Sequence, residues 1–281
     1  SLVIHILRVM KSKTRSVSHY LCAPDMTALE FLDAALEAGF SGVGITTRAL
    51  NEMPLKTLRS ELVARQLVVS SVNTAGYFFS NEQGNKDQEL VNLQLLQAAA
   101  ELNSVNGVNL IVGGSAQMGL SNARDLALEK AALLAAQAKR YGTRLLLEPM
   151  HPIQARSKGC VNTLKQASEW LKHIPELTLN VDLFHSWWDP DLHAALAGQF
   201  GEIAVLQICD VVVDQHTNVA SRAPLGEGFL DWQASVQQII KYFPNAPIEL
   251  ELFAEQMPDR NSMAVMEESA RQMKTILGDD Q

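Results

Sequence analysis

The chain has 281 residues, of which 47% are hydrophobic and 19% charged, and its formal charge is −8. This composition suits a globular protein large enough to bury its core without staples, and the acidity opposes nonspecific attraction to nucleic-acid phosphates. The three cysteines, Cys22, Cys160 and Cys209, fit neither a disulfide framework nor a CxxC metal knuckle, which points to a reducing, cytoplasmic setting.

At the N-terminus "SLVIHILRVM" is apolar but too short to span a bilayer. Its basic residues follow the apolar run, the wrong order for a secretion signal, so no membrane partner is expected. Residues 1–15 read as an N-terminal extension and 16–281 as one domain. Within that domain short apolar runs alternate with amphipathic ones. The strand candidates are "SVSHYL" (16–21), "SGVGIT" (41–46), "LVVSSV" (67–72), "VNLIV" (108–112), "TRLLLE" (143–148), "LTLNVD" (177–182), "IAVLQI" (203–208) and "PIELEL" (247–252). Between them run helical patterns such as "MTALEFLDAALEAG" and "ARDLALEKAALLAAQAKRYG". The second is expected to start after Ser121 as N-cap and to stop near Gly142. "SMAVMEESARQMKTIL" reads as the last helix, on the outer face.

Strands alternating with helices imply parallel βαβ units. Eight such pairs without a linker predict an α/β fold, a single (β/α)8 TIM barrel. An open doubly wound sheet is the competitor, but no GxGxxG follows the first strand, so a dinucleotide site has little support.

A barrel of this kind carries its chemistry at the C-terminal ends of its strands, where side chains alternate between interior and helix layer. In "LTLNVD" the apolar face is Leu177, Leu179 and Val181, which turns Asp182 inward. Leu145 and Leu147 face out, so Glu148 faces in. Gln207 shares a face with Ile203 and Val205, and Ile248, Leu250 and Leu252 leave Glu249 and Glu251 inside. One polar strand end is ordinary, since such residues cap helices and bond loops. Here four successive strands end in Glu148, Asp182, Gln207 and Glu251. Carboxylates crowded in one mouth repel unless a counter-charge joins them. A single divalent cation on oxygen donors, Mn2+ or Mg2+ by preference with Zn2+ as an option, resolves the conflict. Glu249 lies one inward position below Glu251. It reads either as a structural carboxylate paired with Arg144 or as the strand-eight ligand itself, with Glu251 favoured as the residue nearer the mouth.

"LLLEP", "NVDLFH", "LQICD" and "ELELF" resemble, in that order, the xylose-isomerase-like barrels, the sugar isomerases and epimerases that include hydroxypyruvate isomerase and tagatose/psicose 3-epimerase. The likeness implies one divalent metal on Glu148, Asp182, Gln207 and Glu251. Gln in the third place is similar to the hydroxypyruvate isomerase pattern, whereas ketose epimerases more often carry His. The Asp-x-x-His pair carries onto Asp182 and His185, with the histidine reaching substrate oxygens. "RAPLGEGFLDW" resembles the family's arginine-to-glycine loop and gives Arg222 a substrate hydroxyl or carboxylate to hold. The superfamily also includes endonuclease-IV-like DNA repair enzymes, but the histidines of their three-zinc cluster are missing from "GVGITT", "SSVNTAG" and "LIVGGS". No nucleic-acid partner is expected.

The implied activity is metal-dependent isomerisation or epimerisation of a small keto or aldo sugar through an enediolate, with Glu148 and Glu251 moving the proton. A metal-dependent dehydratase of the inosose type is the alternative on the same site, and an AP-endonuclease-like hydrolase the more distant one. His19 and Trp187 are further substrate-binding candidates. Either is equally a packing residue, as are Trp188 and the run Tyr77, Phe78, Phe79. Gly226 and Gly228 suit a phosphate or simply a turn. A homodimer is expected by analogy alone.

Overall fold

In the computed structural model, which describes residues 13–83 and 87–278, eight parallel strands close into a barrel. Its strands are β1 (Arg15–Ser18), β2 (Gly42–Thr46), β3 (Val68–Gly76), β4 (Val108–Ile111), β5 (Leu145–Leu147), β6 (Leu177–Asp182), β7 (Ile203–Ile208) and β10 (Ile248–Leu250), and β10 pairs with both β7 and β1. Between β7 and β10 lies an antiparallel hairpin, β8 (Asp210–Val213) and β9 (Ala220–Ala223), in which Val211 faces Arg222. This hairpin was not expected from the sequence. It is short and half-exposed, so it lacks the continuous apolar run of a barrel strand.

The outer helices include α1 (Ala28–Glu37), α2 (Thr47–Glu52), α3 (Leu55–Ala64), α4 (Gln88–Glu101), α5 (Leu120–Tyr141), α6 (Leu164–His173), α7 (Leu183–Ser186), α8 (Leu192–Leu196), α9 (Trp232–Tyr242) and α10 (Ser262–Leu277). Helix α1 starts on a capping box. The Thr27 hydroxyl accepts from the Glu30 amide, and the Glu30 carboxylate accepts from the Thr27 amide. Helix α5 buries Ala123, Ala127, Ala131, Ala135 and Ala138, a stripe of small side chains that lets the longest helix lie close against the barrel. It starts at Leu120 with Gly119 as N-cap, two residues before the Ser121 cap read from the sequence, and it stops at Gly142, whose φ of 75° is left-handed. Among the described residues no helix is long and apolar enough to cross a membrane.

The first strand ends at Ser18, shorter than the expected 16–21. Ser18 caps a 3-10 turn, His19–Leu21, by accepting from the Tyr20 amide, and so swings His19 into the barrel mouth. Residues 1–12 of the expected N-terminal extension lie outside the described residues. Residues 13–14 carry no assigned structure, and Arg15 already belongs to β1.

The large apolar core sits between strands and helices, while the barrel interior holds only a small apolar cluster, Leu146, Ala204 and Val205. The rest of the interior is a hydrogen-bonded network. Asn180 donates to Asn109 Oδ1 at 2.9 Å and to Gln207 Oε1 at 2.8 Å. Glu249 accepts from Ser70 at 2.5 Å, Ser71 at 3.0 Å and Gln207 at 2.7 Å. Buried polar groups of this kind are tolerable where they have partners; among the described residues Asn180 Oδ1 and Thr178 Oγ1 have none. Space for Glu249 comes from Gly44: a Cβ there would stand 2.6 Å from Glu249 Oε1. Gly44→Ala is therefore expected to force Glu249 off its serines and to lower unfolding stability by roughly 1–3 kcal/mol, as read from urea denaturation. An unchanged midpoint would contradict this packing.

Candidate metal and active site

The cavity at the C-terminal end of the barrel has a volume of about 430 Å³, and His19, Glu148, His185, Arg222 and Glu251 all reach it. Asp182 and Gln207 lie fully buried at its edge. These seven side chains come together at the mouth of the barrel, four of them on the strand ends whose alternation points them inward. Trp187 does not join them: this indole packs edge-on to Phe229, ring centroids 5.0 Å apart, and against the core, away from the residues lining the cavity. Tyr77 lines the cavity, Phe78 packs against the core and Phe79 lies within it. Trp188 donates to the His185 carbonyl at 2.8 Å and steadies that turn.

Asp182 ends β6 and caps α7, accepting from the Phe184 amide at 2.9 Å. The turn it starts carries His185 three residues on. Arg222 grips Asp182 with both terminal nitrogens, Nη1 to Oδ1 at 3.2 Å and Nη2 to Oδ2 at 2.5 Å, and also reaches Glu251 Oε2 at 3.2 Å. Its guanidinium lies over the rings of Phe184 at 4.5 Å and Phe253 at 5.1 Å. The arginine is thus a counter-charge inside the carboxylate group. Burial alone would raise Asp182, but the Arg222 charge outweighs it and holds the carboxyl down to about 2.

One cation is too few for three acids. Burial first, then the charge on Asp182, pushes Glu148 up to about 8. Glu251 is raised well above the carboxylate range, by burial ahead of Asp182 and Glu148 and despite Arg222. Protons therefore sit where positive charge is wanted, and a divalent ion could replace two of them. Glu148, Asp182 and His185 also form a buried group whose donor atoms lie within 4.8 Å of one another. The residues fit a divalent metal.

His185 needs a separate argument. The His151 amide donates to its Nδ1 at 3.1 Å, so a neutral ring carries its proton on Nε2. Burial lowers this histidine to about 3, which keeps it neutral. Nε2 faces Glu148 at 3.8 Å and Asp182 at 3.9 Å. An Nε2–H is a donor to oxygen, so this tautomer suits a substrate contact, and of the buried trio Glu148 and Asp182 remain as metal ligands.

Gln207 has both ends engaged. Its Oε1 accepts from Asn180, and its Nε2 donates to Glu249 and, at 3.0 Å, to Glu251. Glu249 pairs with Gln207 and the serines. Arg144 instead binds Glu202 at 3.1 Å on the outside, which corrects the expected Glu249–Arg144 pair: Arg144 starts the strand at the bottom of the barrel, far from its mouth. His19 Nδ1 shares a hydrogen bond with Thr46 Oγ1 at 2.7 Å, and its Nε2, buried in the cavity wall, has no partner among the described residues. Gly226 forms no anion cradle; its amide is taken by Asp210.

Three contributors were missed in the sequence. Asn109 donates to Glu148, and as the single polar residue inside "VNLI" it was open to discovery. Tyr20 stacks on Phe253, 4.6 Å between centroids, but sits in a turn that strand phase does not reach. Asp210 accepts from Gly226 and Leu230 at 3.0 Å each, tying down the loop that follows Arg222.

The family model of the xylose isomerase-like TIM barrel matches residues 32–276. No curated protein matches the chain in sequence. Among solved structures, protein SMc04130 from Sinorhizobium meliloti 1021 superposes with a TM-score of 0.82 at 24% identity, over 94% of this chain and 98% of that one. The 3-keto-D-glucoside 4-epimerase YcjR from E. coli gives 0.74 at 19%, over 94% and 99%. The IolI protein with a bound zinc atom gives 0.77 at 16%, over 94% and 98%. At these identities the likeness shows the fold.

The protonated state of the site sets a testable linkage. With Glu148 at about 8, the carboxyl keeps its proton below that pH and a metal must displace it. Apparent Mn2+ affinity of chelator-treated protein should rise roughly ten-fold or more between pH 6 and 8. Calorimetry in buffers of different ionisation heat would show the released protons; a pH-independent affinity would oppose this picture.

Proposed function

The chain belongs to the xylose isomerase-like TIM barrel family, and we propose that it is a divalent-metal-dependent isomerase or epimerase. The proposed substrate is a small keto or aldo sugar, or a related hydroxy-carbonyl compound. The proposed chemistry is proton transfer at the carbon beside the carbonyl. The observation that carries this reading is the pair of buried carboxyls with raised pKa, Glu148 on β5 and Glu251 just past β10, flanking the Asp182–Arg222 pair. Carboxyls held far above their ordinary range suit groups that both take and return a proton near neutrality.

Glu148, Asp182, Gln207 and Glu251 would hold the ion, with Gln207 the member most committed to protein partners. Oxygen donors favour Mn2+ or Mg2+ over Zn2+. Such an ion supplies Lewis acidity to neighbouring substrate oxygens. The chain does the rest. His185 donates from Nε2 to a substrate oxygen. Arg222, fixed by two carboxylates and two aromatic faces, orients a hydroxyl or carboxylate. His19 offers its unpartnered Nε2 to a further hydroxyl. Glu148 and Glu251 approach from opposite sides of β6 and β7, so removal by one and return by the other inverts a centre. Return to the neighbouring carbon moves the carbonyl instead.

Glu148→Gln and Glu251→Gln should each lower turnover by roughly 10²–10⁴-fold. Circular dichroism should stay native, because the neutral amide replaces a carboxyl that is already protonated. The assay is product analysis by NMR in D2O across a keto-sugar panel. Deuterium at the carbon beside the carbonyl is the expected signature. A dehydrated product would move the reading to the lyase, and full activity in both variants would end it.

A further inference from the structure

The cavity over the carboxylates does not end at the sugar-sized space above them. It shares Tyr20, Thr47, Thr74 and Tyr77 with a second groove of about 750 Å³, which runs outward between α2 and α4. The two spaces differ in chemistry. The first is lined by Glu148, Glu251, Arg222 and Lys158, whereas none of the thirteen residues lining the groove is charged. That contrast is informative in a chain with 19% charged residues. The groove presents apolar side chains such as Leu50, Leu55 and Leu95 beside the exposed amides of Asn51 and Gln94. The partition carries two phenol rings. Tyr20 is anchored through its hydroxyl to Thr74 Oγ1 at 3.2 Å, and Tyr77 takes a φ of 47°, a left-handed conformation uncommon for a bulky residue.

Resting on the sugar reading above, we propose that this groove is a second subsite that takes an uncharged sugar ring, so that the physiological substrate is a glycoside or disaccharide rather than a free monosaccharide. Amides that donate and accept, set among aliphatic and aromatic faces, match the alternating hydroxyl and C–H surfaces of a neutral sugar. A phosphate or carboxylate would find no charged partner there and would be desolvated without compensation. The two spaces adjoin, with Tyr20, Thr47, Thr74 and Tyr77 lining both, as subsites for one bonded ligand require.

The test is calorimetric binding to the magnesium-loaded full chain. The probes are glucose, fructose and galactose against maltose, cellobiose, lactose and sucrose. At least one disaccharide should bind ten-fold or more tightly than each of its component sugars. Gln94→Trp and Asn51→Trp, both exposed positions that fill the groove, should remove that excess and leave monosaccharide binding unchanged. If monosaccharides bind and no disaccharide binds more tightly, or if the excess survives both substitutions, the second subsite is refuted and the sugar reading stands. If none of the seven sugars binds, the sugar reading and the subsite fall together.

Discussion

An imbalance of charge governs the mouth of this barrel. Glu148, Asp182 and Glu251 are buried together with one guanidinium, that of Arg222. Three acids and one base cannot all be ionised out of water without severe repulsion. Arg222 settles the matter for Asp182, which stays ionised, and protons settle it for the two glutamates. The resulting site is poised. Its charge state changes when a cation arrives, and the two groups that would then release protons are the two best placed to handle a substrate proton.

The poise depends on support from below and from the side. Below the mouth, Asn109, Asn180, Gln207 and Glu249 form a chain of hydrogen bonds across four strands and down to the serines of β3. This network fills a barrel interior that has only three residues in its apolar cluster. It also fixes the rotamers of the side chains above it, since Asn109 and Gln207 each hold a glutamate. At the side, the β8–β9 hairpin projects Arg222 back over the strand ends, and Asp210 holds the following loop by two backbone amides. The arginine therefore comes from neither a barrel strand nor a helix. It sits on an accessory element tied to the mouth by the ion pairs, by the rings of Phe184 and Phe253 and by this anchored loop.

The same division of labour separates reaction from recognition. Charged residues cluster over the strand ends of β5, β6 and β10, where protons and an ion would be handled. Between α2 and α4 the mouth adjoins a groove whose lining is uncharged. A barrel permits this split because each loop is built on an independent strand and can vary without disturbing its neighbours.

The sequence by itself determined the barrel, its eight strands and the inward phase of Glu148, Asp182, Gln207, Glu249 and Glu251. These follow from a period of two within each strand and from the alternation of strand with helix, which are local properties. It did not determine the partners. Whether Glu249 met Arg144 or two serines, whether Trp187 packed on Phe229, and whether Arg222 met Asp182 depended on chain segments some 40 to 180 residues apart. Only closure of the barrel brought those segments together. The balance among the acids was decided there as well, because a pKa responds to burial and to charges a few ångströms away, and neither is a property of neighbours along the chain.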